Sequence, residues 1–438
     1  MGALRRGVRA AACDSLQVRY SALQVLYCFT TCSLGGFAAI ILGYKGLSST
    51  LIGIATGSSC VLSVILMPAI STALERCSAL SIPRVLRWFM GAALALYVLF
   101  ATLPLPAVAT VGVFAFANAF SLAVAPFLAQ LAMSFNRIGM PINFGLARGL
   151  GSLSYALGSV GLSRLVEAVS PLVLTVAYVC AAALFLAVVA KVPFGVSDGG
   201  ETLRELRYAR VAPRGAGVDD RTTRDDADRR KLTGSGALAE VLQQRVLVMV
   251  LVGFMVAFFA INCVSVYLID IVEHLGGDTA MCGVAMFYMA ASELPAMMLV
   301  PHLRRRFSTG TLFMVVGMAF LLRNMIVVFA VSVPMVFVGL LFQSMSYGLL
   351  TPLLTYYIAE VCSPRSETLG QTLLSVATTG VGAMVGTVCG GALQDAFGLQ
   401  AMLLFVAVST VVAAAIFLVA GMIARRQELL GDSSALNA

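Results

Sequence analysis

The 438-residue chain is 60% hydrophobic and only 11% charged, and its mean hydropathy is +0.94. Soluble domains carry roughly a quarter charged residues, so this composition excludes a soluble globular protein and predicts one that crosses a membrane many times. The net charge of +8 does not indicate nucleic-acid binding, because the Lys and Arg residues lie in short segments between apolar runs, as membrane orientation requires.

The sequence contains no pattern that predicts an enzyme, a metal site or a cofactor. Its ten cysteines are scattered without a C-x-x-C pair, and its two histidines, His274 and His302, lie outside the apolar cores. A Ser/His/Asp set, a phosphate-binding loop, an H-E-x-x-H motif and a dinucleotide fingerprint are all missing from the sequence. We therefore expect a protein that is not an enzyme and that binds no cofactor.

Apolar runs long enough to cross a bilayer predict twelve transmembrane helices. The first six spans cover residues 21–44, 47–74, 88–136 (two spans, divided at 104–106), 143–169 and 171–191. The last six spans cover residues 245–270, 279–302, 310–331, 334–361, 366–394 and 399–424. The predicted fold class is therefore an all-α membrane protein with two six-helix halves.

Composition divides the chain into five regions. They are a cytoplasmic head (1–19), a first six-helix half (20–193), a charged and largely disordered linker (194–244), a second six-helix half (245–424) and a cytoplasmic tail (425–438).

The distribution of charge among the loops predicts the orientation of the chain. Arginines concentrate in alternate loops and in both terminal segments, whereas the remaining loops hold mainly Lys45, Asp270, Glu273, Asp278 and Asp395. Because basic residues favour the cytoplasmic side, both termini are predicted to be cytoplasmic in a bacterial inner membrane. We expect a monomer, because each chain supplies both halves of the pathway.

Weak internal repetition indicates that the two halves are related. The fourth and tenth spans each contain a central proline, Pro126 and Pro352, which are 226 positions apart. The fifth and eleventh spans are both glycine-rich, and Gly145 and Gly370 are 225 positions apart. Two related halves joined by a cytoplasmic linker are typical of secondary transporters.

The fifth span carries a polar stripe inside a segment that otherwise reads as membrane-buried. On a helix, four side chains fall at i, i+4, i+7 and i+11 and share one face: Arg148, Ser152, Tyr155 and Ser159. We predict that this stripe lines a polar cavity, with Arg148 contacting the substrate. The alternative is a structural arginine that extends to the nearby cytoplasmic interface.

Glu293 in the eighth span and Arg323 in the ninth span are ionisable residues at membrane depth, where each costs a few kcal/mol unless it is paired or hydrated. Their positions along the spans would allow the two side chains to meet near mid-membrane. One interpretation is a structural ion pair that ties two neighbouring helices together. The other is a role in proton coupling or gating.

Three further polar residues, Asn262, Gln343 and Tyr347, are candidates for substrate contacts. Each is also explained by a hydrogen bond between helices. Gln343 and Tyr347 lie four residues apart on one helix face, which favours a shared role.

The fifth span also resembles a known family. Residues 143–155 (NFGLARGLGSLSY) are similar to the fifth-helix signature of the lactose permease-like branch of the major facilitator superfamily, which includes oligosaccharide, nucleoside and phenylpropionate symporters. In that branch an arginine contacts the substrate and an aromatic residue seven positions later stacks on it. The resemblance implies these roles for Arg148 and Tyr155.

Two segments of the second half resemble the same branch. Residues 292–295 (SELP) are similar to the segment with the family's buried glutamate, which implies that role for Glu293. Residues 320–324 (FLLRN) match the ninth-helix arginine that pairs with the proton-carrying acid, which implies that role for Arg323.

The sequence departs from this branch at three places. The loop after the second span reads MPAISTALERC instead of the superfamily's G-x-x-x-D-R-x-G-R pattern. Ala129 or Gln130 stands where a fourth-helix glutamate binds galactosides, so an anionic or aromatic solute is favoured over a lactose-like one. Ser346 and Leu349 replace the tenth-helix His and Glu, which leaves Glu293 as the group for proton exchange.

These patterns predict a secondary transporter of a small organic solute (a saccharide, a nucleoside, or an aromatic or organic acid), working by proton-coupled uptake and alternating access. Export of drugs or metabolites by proton antiport is the alternative within transport. A third interpretation is a non-transporting membrane protein, such as a receptor or an assembly partner, against which the mid-membrane charges argue.

Overall fold

The computed structural model describes residues 2–76, 81–137, 142–191, 238–363 and 366–436. The helices of the first half are α1 (Gly2–Thr31), α2 (Ala38–Tyr44), α3 (Ser49–Arg76), α4 (Ile82–Thr102), α5 (Ala107–Leu122), α6 (Val124–Arg137), α7 (Phe144–Ala168) and α8 (Leu172–Ala190). Those of the second half are α9 (Arg245–Val266), α10 (Leu268–His274), α11 (Thr279–Arg306), α12 (Thr309–Val328), α13 (Val333–Leu341), α14 (Leu349–Val361), α15 (Glu367–Ser375), α16 (Ala383–Phe397) and α17 (Leu399–Leu436). Three π-helical segments interrupt them, namely π1 (Cys32–Gly36), π2 (Ser344–Gly348) and π3 (Val376–Gly382).

Ten helices or helix runs in the described part of the chain are long and apolar enough to cross a membrane. An eleventh is added if the bent pair formed by residues 15–36 and 38–44, with a 48° bend, counts as one span. The predicted fifth span, α7, is not among them, although its 25 residues are long enough. Its charged and small polar side chains lower its hydropathy. The count of twelve spans therefore stays a prediction.

Residues 194–237 of the predicted linker (194–244) lie outside the described residues. Residues 238–243 form a short helix, in which Val241 is buried. Glu240 accepts hydrogen bonds from the backbone N–H of Ser363 (2.9 Å) and from its hydroxyl (3.0 Å). The backbone N–H of Ser363 lowers the pKa of Glu240, so the end of the linker is attached to the segment after α14 through an ionised carboxylate.

The backbone repeats between the halves with an offset of 230 positions. Phe37 (φ −101°, ψ 23°) and Tyr267 (φ −98°, ψ 23°) each break a span before a seven-residue helix. Both of these short helices are followed by a glycine with positive φ, Gly46 (80°) and Gly276 (77°). The left-handed conformation explains why glycine occupies both positions.

The two central prolines also act alike. A proline inside a helix removes the hydrogen bond to the carbonyl four residues earlier. For Pro126 that carbonyl belongs to Leu122, where α5 ends, and for Pro352 it belongs to Gly348, where π2 ends. The predicted tenth and fourth spans are therefore each broken one turn before their proline.

The two halves pack against each other along two helix pairs, α3 with α16 and α7 with α11. Hydrogen bonds between the halves lie at the end of the molecule that bears Asp270, Glu273, Asp278 and Asp395, called the acidic end. The opposite end bears Arg84, Arg87, Arg304, Arg305 and Arg306 and is called the basic end.

Two hydroxyl groups join the halves in matching positions. The Thr387 hydroxyl on α16 donates to the Gly53 carbonyl on α3 (3.0 Å), and the Ser159 hydroxyl on α7 donates to the Gly283 carbonyl on α11 (3.0 Å). A Cβ on either glycine would overlap the partner helix. Glycine at these two positions therefore lets the helices approach closely enough for the hydroxyls to reach the backbone.

This close approach yields a prediction about stability. Gly283→Ala is expected to lower the free energy of unfolding by about 1–3 kcal/mol, because the new methyl group displaces the α7 backbone. The control is Gly161→Ala on α7, where a Cβ meets open space among the described residues. This control should be neutral or stabilising by up to about 1 kcal/mol. Thermal unfolding in detergent measures both variants, and equal melting temperatures for the two would contradict the packing argument.

Candidate functional site

The polar stripe of α7 faces away from the surface of the bundle. Leu146, Leu150, Leu153 and Leu157 are exposed, and they lie about 180° around the helix from the stripe. A third face packs on α1, where a Cβ on Gly151 would meet Cys28 and Gln24. The stripe is therefore directed toward the second half of the protein.

The surroundings of the stripe change along α7. Ser159 is buried against α11, Tyr155 and Ser152 are half-buried, and Arg148 is exposed. A Cβ on Gly36 in π1 would lie 2.8 Å from the Tyr155 hydroxyl oxygen. The stripe thus passes from a closed contact near the acidic end into open space toward the basic end.

Glu293 and Gln343 meet on the opposite side of this space. The Gln343 Nε2 atom donates to the Glu293 carboxylate (2.9 Å), which joins α11 to the residue before π2. A Cβ on Gly348 would lie 3.3 Å from the Glu293 Cα atom, so glycine keeps the two backbones close. Gln343 is buried and Glu293 is half-buried. This partnership was not predicted from the sequence.

Arg323 is fully buried and does not contact Glu293. Its Nη1 atom donates to the Asn324 side-chain oxygen (2.5 Å), and Asn324 donates to the Thr410 hydroxyl on α17 (2.8 Å). Its Nε and Nη2 atoms have no hydrogen-bond partner in the described part of the chain. Arg304 and Glu360 form the ion pair with an N–O distance within 4 Å that is found among the described residues. The structural Glu293–Arg323 ion pair is therefore absent from this conformation, although the two charges interact over a longer distance.

Tyr347 belongs to an aromatic cluster between π2 and α9. Its ring centroid lies 5.9 Å from that of Phe258 and 6.3 Å from that of Phe254. Asn262, one turn beyond Phe258, is half-buried and donates to the Phe258 carbonyl of its own helix (3.0 Å). The amide nitrogen of Asn262 thus donates within its own helix, whereas that of Gln343 donates to a different helix.

The two halves bring their polar groups to one region. The charge of Arg148 lies within electrostatic range of the Glu293 carboxylate, and the hydroxyl groups of Tyr155 and Tyr347 lie within range of the same carboxylate. The region therefore combines a cation from the first half with a carboxylate, an amide and aromatic rings from the second. Such a group of convergent polar side chains between two bundles can hold a small polar molecule.

The π-helical segments are the part of this site that sequence reasoning missed. π1 lies beside Tyr155, and π2 contains Tyr347 and follows Gln343 directly. In π3, a Cβ on Gly382 would meet Phe258. Segments of this kind occur often at functional sites, because the extra residue in the turn redirects nearby side chains. The small residues in CSLGG, SMSYG and VATTGVG were the available signal.

No group of three or more His, Cys, Asp and Glu side chains is arranged to hold a metal ion within the ranges that the structure describes. Eight cysteines in those ranges are free thiols: Cys28, Cys32, Cys60, Cys180, Cys263, Cys282, Cys362 and Cys389.

Comparisons with known proteins agree with this architecture. The maltose permease of Geobacillus stearothermophilus is 25% identical over 292 residues, which are 66% of this chain and 65% of the permease. The crystal structure of the nucleoside transporter NupG has a similar fold, with a TM-score of 0.74 at 14% identity over 92% of this chain and 98% of that one.

A bacterial homologue of the human lysosomal transporter Spinster, solved in an inward-facing and unoccupied conformation, has a TM-score of 0.66 at 13% identity, over 94% of this chain and 97% of that one. The sequence profile of the MFS_1 like family matches residues 18–407. The resemblance to the major facilitator superfamily is confirmed, and the chain belongs to the MFS_1 like family.

Proposed function

We propose that this membrane protein is a secondary transporter that carries a small organic solute through a site between its two halves, by alternating exposure of that site to the two sides of the membrane. The observation that carries the proposal is the convergence of Arg148 from the first half with Glu293, Gln343 and Tyr347 from the second. A solute that is bound by groups on both halves is released when the halves move apart, because it then loses part of its contacts.

The proposed orientation of the chain in the membrane follows from its charge distribution. Twelve spans are arranged as two halves (20–193 and 245–424), with α7 as the fifth span, both termini cytoplasmic and the acidic end outside. The chain acts as a monomer in a bacterial inner membrane, because one chain supplies both walls of the site.

The chemistry of the site favours an anionic or aromatic solute among the saccharides, nucleosides and organic acids. Arg148 provides a cation for a carboxylate or phosphate, while Tyr155 and Tyr347 provide ring faces for stacking. Two relatives are named as a maltose permease and a nucleoside transporter, so maltose and nucleosides are the uncharged solutes to test beside the anionic ones. Ser152 is placed to add a hydrogen bond one turn from Arg148.

Proton coupling is assigned to Glu293. Gln343 can serve either protonation state of this carboxyl group, since an amide offers both donors and an acceptor. The N–H groups of Arg323 that have no partner among the described residues supply an alternative partner for the carboxylate when the helices shift. In the proposed cycle Glu293 takes up a proton with the solute and releases it on the cytoplasmic side.

The role of Arg148 is tested by Arg148→Gln in proteoliposomes. Loss of a charge-assisted hydrogen bond is worth about 1.5–3 kcal/mol, so uptake of an anionic aromatic solute should weaken roughly 10- to 100-fold in apparent affinity. Labelled aromatic acids, nucleosides and maltose are the candidate solutes. Arg164→Gln, at an exposed position nearer the acidic end of the same helix, is the matched control and should transport normally. Unchanged affinity in Arg148→Gln would remove this residue from the site.

The role of Glu293 is tested by Glu293→Gln. This variant should exchange solute across the membrane but should no longer accumulate it when a proton gradient is imposed, because the amide cannot carry a proton. Glu273→Gln, an exposed acid at the acidic end, is the control. Gradient-driven accumulation by Glu293→Gln would contradict the assignment, and gradient-driven extrusion of cationic dyes by the parent protein would indicate export instead.

A further inference from the structure

Asp395 caps a helix that belongs to the other half of the molecule. This residue lies in the last turn of α16, and its carboxylate accepts hydrogen bonds from the backbone N–H groups of Ser49 (3.0 Å) and Thr50 (2.7 Å). It also accepts one from the Thr50 hydroxyl (2.6 Å). These donors form the N-terminus of α3, where unpaired N–H groups and the helix dipole favour a negative charge.

Glu167 makes the corresponding contact at the second helix pair. It lies in the last turn of α7, and its carboxylate accepts a hydrogen bond from the backbone N–H of Ala280 (3.0 Å). Ala280 is in the first turn of α11. The repeat relates the two contacts: Glu167 and Asp395 are 228 positions apart, and Thr50 and Ala280 are 230 positions apart.

The capped helices also have caps within their own halves. Asp278 accepts a hydrogen bond from Met281 N–H at the start of α11 (2.7 Å), and the Ser48 hydroxyl accepts one from Leu51 N–H at the start of α3 (3.5 Å). A local cap is therefore already present on each helix. The second carboxylate adds a connection between the halves, at the end where Ser159 and Thr387 also join them.

We propose that Glu167 and Asp395 form a paired gate that holds the acidic end of the transporter closed, each by occupying the helix N-terminus of the opposite half. Opening this end separates both carboxylates from their N–H donors at once, because both contacts join the same two halves. The gate is strong enough to bias the two conformations and weak enough to open in each cycle, since a helix cap contributes about 1 kcal/mol and both carboxylates already lie at exposed positions. This inference rests on the proposed alternating exposure of the site.

Hydrogen–deuterium exchange of the full chain in lipid nanodiscs tests the gate without a known solute. The variants are Asp395→Ala and Glu167→Ala, and the peptides compared cover residues 47–53, 279–285 and 142–152. In Asp395→Ala, exchange should rise roughly tenfold at 47–53, where the cap is lost, and also severalfold at 279–285, on the other helix pair. Exchange at 142–152 should fall as the basic end closes. Glu167→Ala should give the same pattern with a smaller change, because it loses one hydrogen bond instead of three.

Asp278→Ala is the matched control, because it removes a carboxylate cap from α11 that lies within one half. It should raise exchange at 279–285 alone. Unchanged exchange at residues 312–320 of α12 shows that each variant is folded. If Asp395→Ala raises exchange only at 47–53, the carboxylate is a local cap and the gate is refuted. This result would not affect the proposed transport. If exchange instead rises at both 47–53 and 279–285 but the parent protein takes up none of the candidate solutes, the gate is supported and the transport is refuted.

Discussion

A charge in the membrane interior must be paired, hydrated or hydrogen-bonded, and this constraint accounts for how the interior of the protein is arranged. Arg148 meets it by facing the space between the halves, opposite the exposed leucines of α7. Glu293 meets it through Gln343, and Arg323 meets it in part through Asn324. These side chains thus have polar neighbours inside the bundle, and Arg148 lies on the α7 face that is directed toward the second half.

The same constraint explains why α7 is less apolar than the ten candidate spans although it lies among them. A helix that contacts lipid on one side only can hold polar residues on the other, provided that neighbours cover them. α1 covers one side through Gly151 and Gly158, where an added Cβ would contact Cys28 and Phe29. α11 covers the outer part of the stripe through Ser159. The inner part, with Arg148, is exposed.

Much of this arrangement could be predicted from the sequence, because it depends on local periodicity. The predicted fifth span, 143–169, matches α7, and the spacing of its polar residues gives the stripe its common face. Pro126 and Pro352 were recognised as a repeated feature, but the helix breaks one turn before them were not predicted. The breaks at Phe37 and Tyr267 were not predicted, since neither residue is a helix breaker and the bends are imposed by tertiary packing.

Side-chain contacts between different helices could not be predicted from the sequence, because they depend on how far one helix is shifted along another. Glu293 and Arg323 lie at similar depths, which favoured a direct contact, but Gln343 occupies the position beside the carboxylate. The contacts of Glu167 and Asp395 were not predicted, because nothing in a one-dimensional pattern shows which helix of the other half begins beside them. The π-helical segments were missed for a similar reason: they depend on how a helix is strained by its neighbours.

The position of the site relative to the closed end has a mechanical consequence. Ser159 and Arg148 lie 11 residues apart on α7, and Gly283 and Glu293 lie 10 residues apart on α11, or about 15 Å along each helix. The two helices that form one contact between the halves therefore also carry the cation and the carboxylate of the site. Because a helix transmits displacement as a rigid rod, separating α7 from α11 at the acidic end changes the distance between Arg148 and Glu293. In the proposed cycle, α7 and α11 therefore couple the Glu167 contact of the gate directly to the affinity for solute.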